Sequence, residues 1–98
     1  MTTVAYKIST RCAVEQVSTS NEDAVVCSLP GGDAFIFVGT SLLIWELLSR
    51  EYQSVDGLMN AIHEKTAAPR EVFERDARRF LDHITQVGLV EIQTTVAP

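Results

Sequence analysis

The fold is decided by one stretch of the chain, Phe35-Ile36-Phe37-Val38-Gly39-Thr40-Ser41-Leu42-Leu43-Ile44-Trp45-Glu46-Leu47-Leu48. Its first four residues are aromatic or β-branched, which favours a strand. Thr40 or Ser41 can then cap a helix. The residues that follow are apolar almost all round, which predicts a helix central to the core, with Trp45 in a structural role. The chain therefore changes here from a strand half, residues 4 to 38, to a helix half, residues 41 to 88.

The strand half contains three apolar runs separated by turn residues, at 11 to 17, 23 to 29 and 34 to 38. Such runs, broken by segments like Pro30-Gly31-Gly32-Asp33, predict a three-stranded antiparallel meander. An earlier alternation at Val4, Tyr6 and Ile8 predicts a further short strand or an extended lead-in. We expect one sheet to precede the helices.

The turns predict how these strands pair. If Gly31-Gly32 are the central turn residues, the opposed pairs are Leu29 with Ala34, Cys27 with Ile36, and Val25 with Val38. A hairpin centred near Thr19-Ser20 pairs Val14 with Val25 and sets Cys12 opposite Cys27. The other face then carries Val26, Phe35 and Phe37, which either the terminal segments or a partner must cover. We expect two buried free thiols, with a disulfide as the alternative.

The helix half predicts two further helices. Ser54 can cap a helix whose apolar residues fall at i, i+3, i+4 and i+7, namely Val55, Leu58, Met59 and Ile62. The last helix begins at Pro69 and ends before Gly88, with a core stripe of Phe73, Ala77, Phe80, Leu81, Ile84 and Val87. Residues 89 to 92 predict a short final strand or a docked tail. The fold class is α+β, a three-stranded antiparallel sheet followed by three helices, as in a winged helix-turn-helix.

Composition limits the function. The 98 residues suit one domain, residues 1 to 98. Eight basic against thirteen acidic residues give a net charge of −5, which disfavours nucleic-acid binding. No apolar run is long enough for a membrane span, and the N-terminus lacks the pattern of a signal peptide. We therefore expect a cytoplasmic protein with no membrane partner.

The sequence contains no group of residues at the spacing typical of a catalytic site. Gly31-Gly32 lacks the remaining residues of a phosphate-binding loop, and the cysteines and histidines have no metal-ligand spacing. Cys27 with His63 or His83 is the one conceivable nucleophile and base, but we expect Cys27 to face the core. We predict no enzyme activity, no cofactor and no metal.

The last helix is the notable charge feature, with Arg70, Arg75, Arg78 and Arg79 beside Glu71, Glu74, Asp76 and Asp82. One interpretation is a solvated face with intrahelical pairs, Glu71 with Arg75 and Glu74 with Arg78. Another is that Arg75, Arg78, Arg79 and Asp82 line a groove that selects a partner by charge. A winged-helix regulator that binds DNA is the alternative function, although the helix nets roughly zero charge.

The order of these features resembles the PqqD-like proteins, the recognition elements that bind leader peptides of ribosomally made, post-translationally modified peptides. Residues 35 to 48 are similar to the family's "y-f-x-L-N … a-x-I-W-e-l-L" stretch, and 54 to 58 to its "s-v-e-e-l" helix. Asp76 and Gly88-Leu89-Val90 match the ending "D-v-x-x-f-l-x-x-L-x-x-x-G-L-v". The resemblance runs from about residue 12 to 92. Val38-Gly39 stands where the family usually has Leu-Asn, so the resemblance leaves the turn before the first helix unassigned.

The resemblance implies a non-catalytic domain in which a leader peptide adds as a strand to the edge of the strand at 34 to 38, against the last helix. The implied binding residues are Ala34, Phe35, Ile36, Phe37, Val38, Val72, Arg75, Arg78, Arg79 and Asp82. The implied partners are a precursor's leader and a maturation enzyme such as a leader peptidase, in a lasso peptide, PQQ or mycofactocin pathway, of which we favour the lasso type. The open edge can also pair with a second copy of the chain.

Overall fold

The structure, a computed structural model, describes residues 2–18 and 23–96. Their elements follow in chain order: β1 (Thr2–Ile8), β2 (Ala13–Ser18), β3 (Asp23–Ser28), β4 (Ala34–Phe37), α1 (Gly39–Leu47), β5 (Gln53–Ser54), α2 (Val55–Thr66), α3 (Arg70–Gln86) and β6 (Val90–Val96). The described ranges thus hold three helices and two three-stranded antiparallel sheets. The predicted α+β class is confirmed.

The predicted order of one sheet followed by three helices is wrong, because a second sheet joins the two ends of the chain. The first sheet, β2-β3-β4, is the predicted meander. In the second, of order β5-β1-β6, β1 lies between the two-residue β5 and the seven-residue β6. The alternation at Val4, Tyr6 and Ile8 is therefore a full strand, and Tyr6 and Ile8 are buried in the core.

The register of β3 with β4 differs by one residue from the prediction. Val25 lies opposite Phe37, and Cys27 opposite Phe35. The physical reason is the turn: the Gly32 amide donates to the Leu29 carbonyl at 3.0 Å, and Gly32 has a φ of +95°. This is a three-residue loop, a tight turn followed by a left-handed residue, rather than a two-residue turn centred on Gly31-Gly32.

A slip of one residue moves every side chain of a strand to the opposite face of its sheet. Phe35 and Phe37 therefore face the core, where Phe37 is buried. Ile36 instead faces outward beside Val26 and is 69% exposed. The prediction that Phe35 and Phe37 need a cover on the outer face was wrong, and Ile36 is the apolar residue left there.

The register of β2 with β3 is shifted by two residues from the prediction, which preserves the faces. Val14 lies opposite Cys27 rather than Val25, and the predicted turn at Thr19-Ser20 lies outside the described residues. Cys12 precedes β2 and is not directly opposite Cys27. Both thiols are buried and free, as expected. They are nevertheless neighbours. Burial first, and then the adjacent Cys12, raise the pKa of Cys27 to about 12.

The helix ends partly follow the prediction. The Ser54 hydroxyl accepts a hydrogen bond from the Gly57 amide at 3.0 Å and so caps α2, as predicted. The predicted caps of α1 were wrong: Thr40 and Ser41 lie inside the helix, which starts at Gly39 without a side-chain cap. Gly39 has a φ of +59°, which lets the chain turn directly from β4 into α1.

One hydrophobic core connects both sheets with the three helices. Met59, Ile62, Leu81, Ile84 and Leu89 are among its fully buried side chains. Phe37 ties β4 to two helices, since its ring lies 5.4 Å from that of Trp45 in α1 and 5.1 Å, edge to face, from that of Phe80 in α3. These contacts hold β4 beside α3.

Candidate functional site: the cleft between β4 and α3

The chain around β4 contacts α3 in the order opposite to the course of the helix. Before β4, Leu29 packs near the end of α3, where a Cβ added to Gly88 would lie 3.7 Å from Leu29 Cδ1. Within the strand, Phe37 meets Phe80. Beyond it, Thr40 and Ser41 share a depression with the first turns of α3. These contacts advance from Leu29 to Thr40 while they recede from Gly88 to Val72, so the two segments are antiparallel, and we call the groove between them the cleft.

The edge of β4 that lies away from β3 carries unused backbone hydrogen-bonding groups. Among the described residues, β4 pairs with β3 alone, so its second edge has no strand partner. The Leu29 amide donates to the Asp33 carbonyl at 2.9 Å, and hydrogen-bonded pairs recur every second residue along an antiparallel ladder. Phe35 and Phe37 therefore bond to β3, while the amide and carbonyl groups of Ala34 and Ile36 point away from it. Such an edge can accept an added strand.

A pocket of about 370 Å³ lies beyond the C-terminal end of β4, and no residue of β4 lines it. It lies between the first turn of α1 and the first half of α3, and Thr40, Ser41, Ile44, Ile62, Val72, Phe73, Asp76, Ala77 and Phe80 line it. The lining is mostly apolar, with hydroxyl groups on the α1 side and a carboxylate on the α3 side. A pocket of this composition can take an apolar or aromatic side chain and hydrogen-bond a polar tip.

The five predicted α3 residues do not form one wall. Val72 lines the pocket and is 66% exposed. Arg79 is seven residues further along, two helical turns from Val72, and so shares its edge of the helix. Arg78 instead lines a depression with Thr2–Val4 of β1 and residues 54 to 56, and Asp82 lies close to Tyr6 of β1. Arg75 is exposed. Val72 and Arg79 therefore flank the cleft, whereas Arg78 and Asp82 face the second sheet.

The β1 side of α3 is a network of charges. Arg70 bonds to Asp56 at 2.9 Å and to Glu74 at 3.2 Å, and Arg78 bonds to Glu74 at 2.9 Å. Hydrogen bonds from the two guanidinium groups, Arg70 first, lower the pKa of Glu74. The predicted pair of Glu74 with Arg78 is confirmed, but Glu71 with Arg75 is not among the ion pairs of the described residues. This edge matches the interpretation of a solvated helix face with intrahelical pairs.

The sequence reasoning missed the residues that shape the pocket, above all Phe73, Asp76 and Phe80 on α3 and Thr40 and Ser41 on α1. Helical spacing in the sequence could have identified some of these residues. Val72, Asp76 and Arg79 follow one another at i, i+4 and i+7, which is one edge of a helix. The missing information was which edge turns toward β4.

The geometry speaks against thiol chemistry at Cys27. Its side chain is fully buried, and its pKa of about 12 keeps the thiol protonated near neutral pH. A nucleophilic cysteine needs the opposite, a lowered pKa and solvent access. In the part of the chain that is described, no three His, Cys, Asp or Glu residues cluster as metal ligands, and no helix is long and apolar enough to cross a membrane.

Comparison with known proteins identifies one related family. The model of the family described as coenzyme PQQ synthesis protein D (PqqD) matches residues 23–90, from the start of β3 to the start of β6. Neither a curated protein nor a solved structure matches the chain significantly. The family generally consists of non-catalytic, peptide-binding chaperones. Because the match extends over well more than half of the sequence, the chain belongs to the PqqD family.

Proposed function

We propose that this chain is a single, non-catalytic recognition domain, residues 1 to 98, for the leader of a ribosomally made precursor peptide. The leader binds as an added strand on the edge of β4, in the cleft against α3. The domain then delivers the precursor to a maturation enzyme such as a leader peptidase. Its ligand is a newly made precursor, so we place leader binding in the cytoplasm. In this proposal the domain uses no nucleic acid, cofactor or metal.

The observation that carries this proposal is the coincidence of two features at one place. The edge of β4 offers the backbone groups of Ala34 and Ile36, which no strand of the described ranges pairs with. Beyond the end of this strand, α1 and α3 enclose a mostly apolar pocket of about 370 Å³. Backbone hydrogen bonds give affinity that tolerates many sequences, and pockets for alternate side chains give selectivity.

The proposed binding residues have different roles. Ala34 and Ile36 supply backbone hydrogen bonds, while Phe35 and Phe37 hold the strand in place from the core side. Val38, 40% exposed, extends the edge. Val72 and Arg79, together with Asp76, form the helix wall. We assign Arg75, Arg78 and Asp82 to the outer margin, where they act on a leader long enough to pass over α3.

The affinity should be moderate. Ordering a peptide that is disordered when free typically costs ~2 to 5 kcal/mol of the interaction energy. We expect a dissociation constant in the micromolar-to-nanomolar range, about −8 to −12 kcal/mol. Among the pathways that use separate recognition domains, we favour lasso peptide biosynthesis over PQQ and mycofactocin, on the resemblance of the helix Ile44-Trp45-Glu46-Leu47-Leu48.

The test is a fluorescence-polarisation titration of the full chain with synthetic leaders encoded near its gene, each with a scrambled leader of the same composition. We expect saturable binding to one leader and none to its scrambled form, and the leader that binds names the pathway. A parallel titration with duplex DNA at low salt addresses the winged-helix regulator. Binding to DNA with a steep loss on adding salt, and to no leader, would replace the present proposal.

A further inference from the structure

β6 presents a second strand edge, on the opposite sheet from the cleft. It pairs with β1 over its whole length, and no other described strand adjoins it. Residues 92 to 96, Ile-Gln-Thr-Thr-Val, contain no charge, glycine or proline. Proteins normally protect exposed edges with lysines, prolines, bulges or very short strands. This seven-residue strand has none of these devices along its last five residues, which indicates that the edge is used for pairing.

The side chains of β6 also leave apolar surface uncovered. Val90, Ile92, Thr94 and Val96 share the face of the sheet that carries Tyr6, because Tyr6 lies opposite Ile92. Val90 alone among them is buried; Ile92 is 47% and Val96 71% exposed. Two apolar side chains therefore project beyond the core next to an unpaired edge.

We propose that β6 pairs antiparallel with β6 of a second copy of this chain, about a two-fold axis at Thr94. This register sets Ile92 opposite Val96 of the second copy, and Val96 opposite Ile92 of the second copy. Both exposed apolar side chains thus gain apolar neighbours. On the other face, Gln93 lies opposite Thr95 of the second copy.

Charge favours a second copy as the occupant of this edge. No charged residue lies within the paired stretch, so two copies meet there without like charges in register despite a net charge of −5 each. The nearest charge along the strand, Glu91, is balanced by Lys7 of β1 at 3.9 Å. The paired stretch offers no charged group to a charged partner, whereas its two exposed apolar side chains lie opposite each other when the strand pairs with a second copy.

The dimer should be weak. A pairing of five residues buries less than the ~1,200 Å² of a standard interface, so we expect dissociation in the range of about 10 to 100 µM. The cleft lies on the other sheet and remains open in the dimer, so each copy can still bind a leader. This inference is therefore independent of the proposed function.

The experiment is sedimentation of the full chain between about 1 and 500 µM, with charge variants at the two-fold axis. Thr94→Lys places two lysines opposite each other, and Thr94→Glu two glutamates, so each variant alone should dissociate about tenfold more readily or worse. An equimolar mixture of the two should dimerise again, because lysine then faces glutamate. A misfolded variant would not be rescued in this way.

Gln16→Lys, on the exposed edge strand β2, is the matched control and should leave the dimer unchanged. A wild-type chain that stays monomeric across the range would overturn the proposal, as would single Thr94 variants that dimerise like the wild type. A dimer that is lost on Ile36→Pro and kept on Thr94→Lys would place the contact at β4 and also refute it.

Discussion

The substitution Ile36→Pro tests the free edge of β4 and leaves its pairing with β3 intact. The alternation of the ladder directs the amide of Ile36 away from β3, so proline at this position removes a donor to an added strand and no bond within the sheet. The preceding residue, Phe35, already has the extended backbone that proline requires of its neighbour. The variant should therefore fold.

The expected loss of leader affinity follows from one missing hydrogen bond. The bond itself contributes about 1 kcal/mol, and the carbonyl of the leader left without a donor adds about 1 to 3 kcal/mol. The sum, about 2 to 4 kcal/mol, corresponds to a dissociation constant raised ~30- to 1,000-fold. Fluorescence polarisation with the wild-type leader measures it, and far-ultraviolet circular dichroism checks the fold.

The matched control is Ile36→Thr, which keeps the amide and a β-branched side chain. Because this side chain points to the outer face of the sheet, away from α3, the control should weaken binding by less than about tenfold. A folded Ile36→Pro variant that binds the leader as tightly as Ile36→Thr would refute strand addition at β4.

Three further predictions concern the cleft wall, a helix cap and a thiol. Val72→Asp should weaken leader binding at least about tenfold by placing a charge in the apolar wall, while Glu71→Gln, exposed on the same turn of α3 and outside the pocket, should change it little in the same titration; equal losses would contradict the assigned wall. Ser54→Ala should lower the free energy of unfolding by about 1 kcal/mol in urea, because the Gly57 amide loses its acceptor, and an unchanged midpoint would contradict the cap. Because the pKa of Cys27 is raised to about 12 in the folded state from 9.0, the unfolded thiol ionises first; stability should fall as pH rises from about 9 toward 12, and Cys27→Ala should remove that part of the fall in alkaline urea titrations.

Local chemistry predicted several parts of the fold. The change from strand to helix between residues 38 and 41 follows from residue types alone, although its predicted caps do not, and the Ser54 cap follows as well, since both depend on neighbouring residues. The register of β4 did not follow, because Gly31-Gly32 resembles a two-residue turn. The deciding contact is the bond from the Gly32 amide to the Leu29 carbonyl, which makes Pro30 part of a longer loop.

The second sheet and the cleft wall were harder to predict from the sequence, for a different reason. The strand β6 was expected only as a strand or docked tail at residues 89 to 92, because Gln93-Thr94-Thr95 interrupts its apolar residues, and its pairing with β1 joins the two ends of the chain. For α3, helical spacing separates the edge with Val72 from the edge with Arg78, but both edges are polar enough for solvent. Only the packing of Phe37 on Phe80 shows which edge faces β4.

Amide hydrogen exchange on β4, followed by NMR with and without the leader, tests the central claim most directly. In the protein without leader, the amides of Ala34 and Ile36 should exchange quickly, while the amide of Phe37, which is bonded to β3, should be protected. Leader binding should protect Ala34 and Ile36 and leave β2 and β6 unchanged. Binding that saturates without slowing exchange at Ala34 and Ile36 would contradict the account.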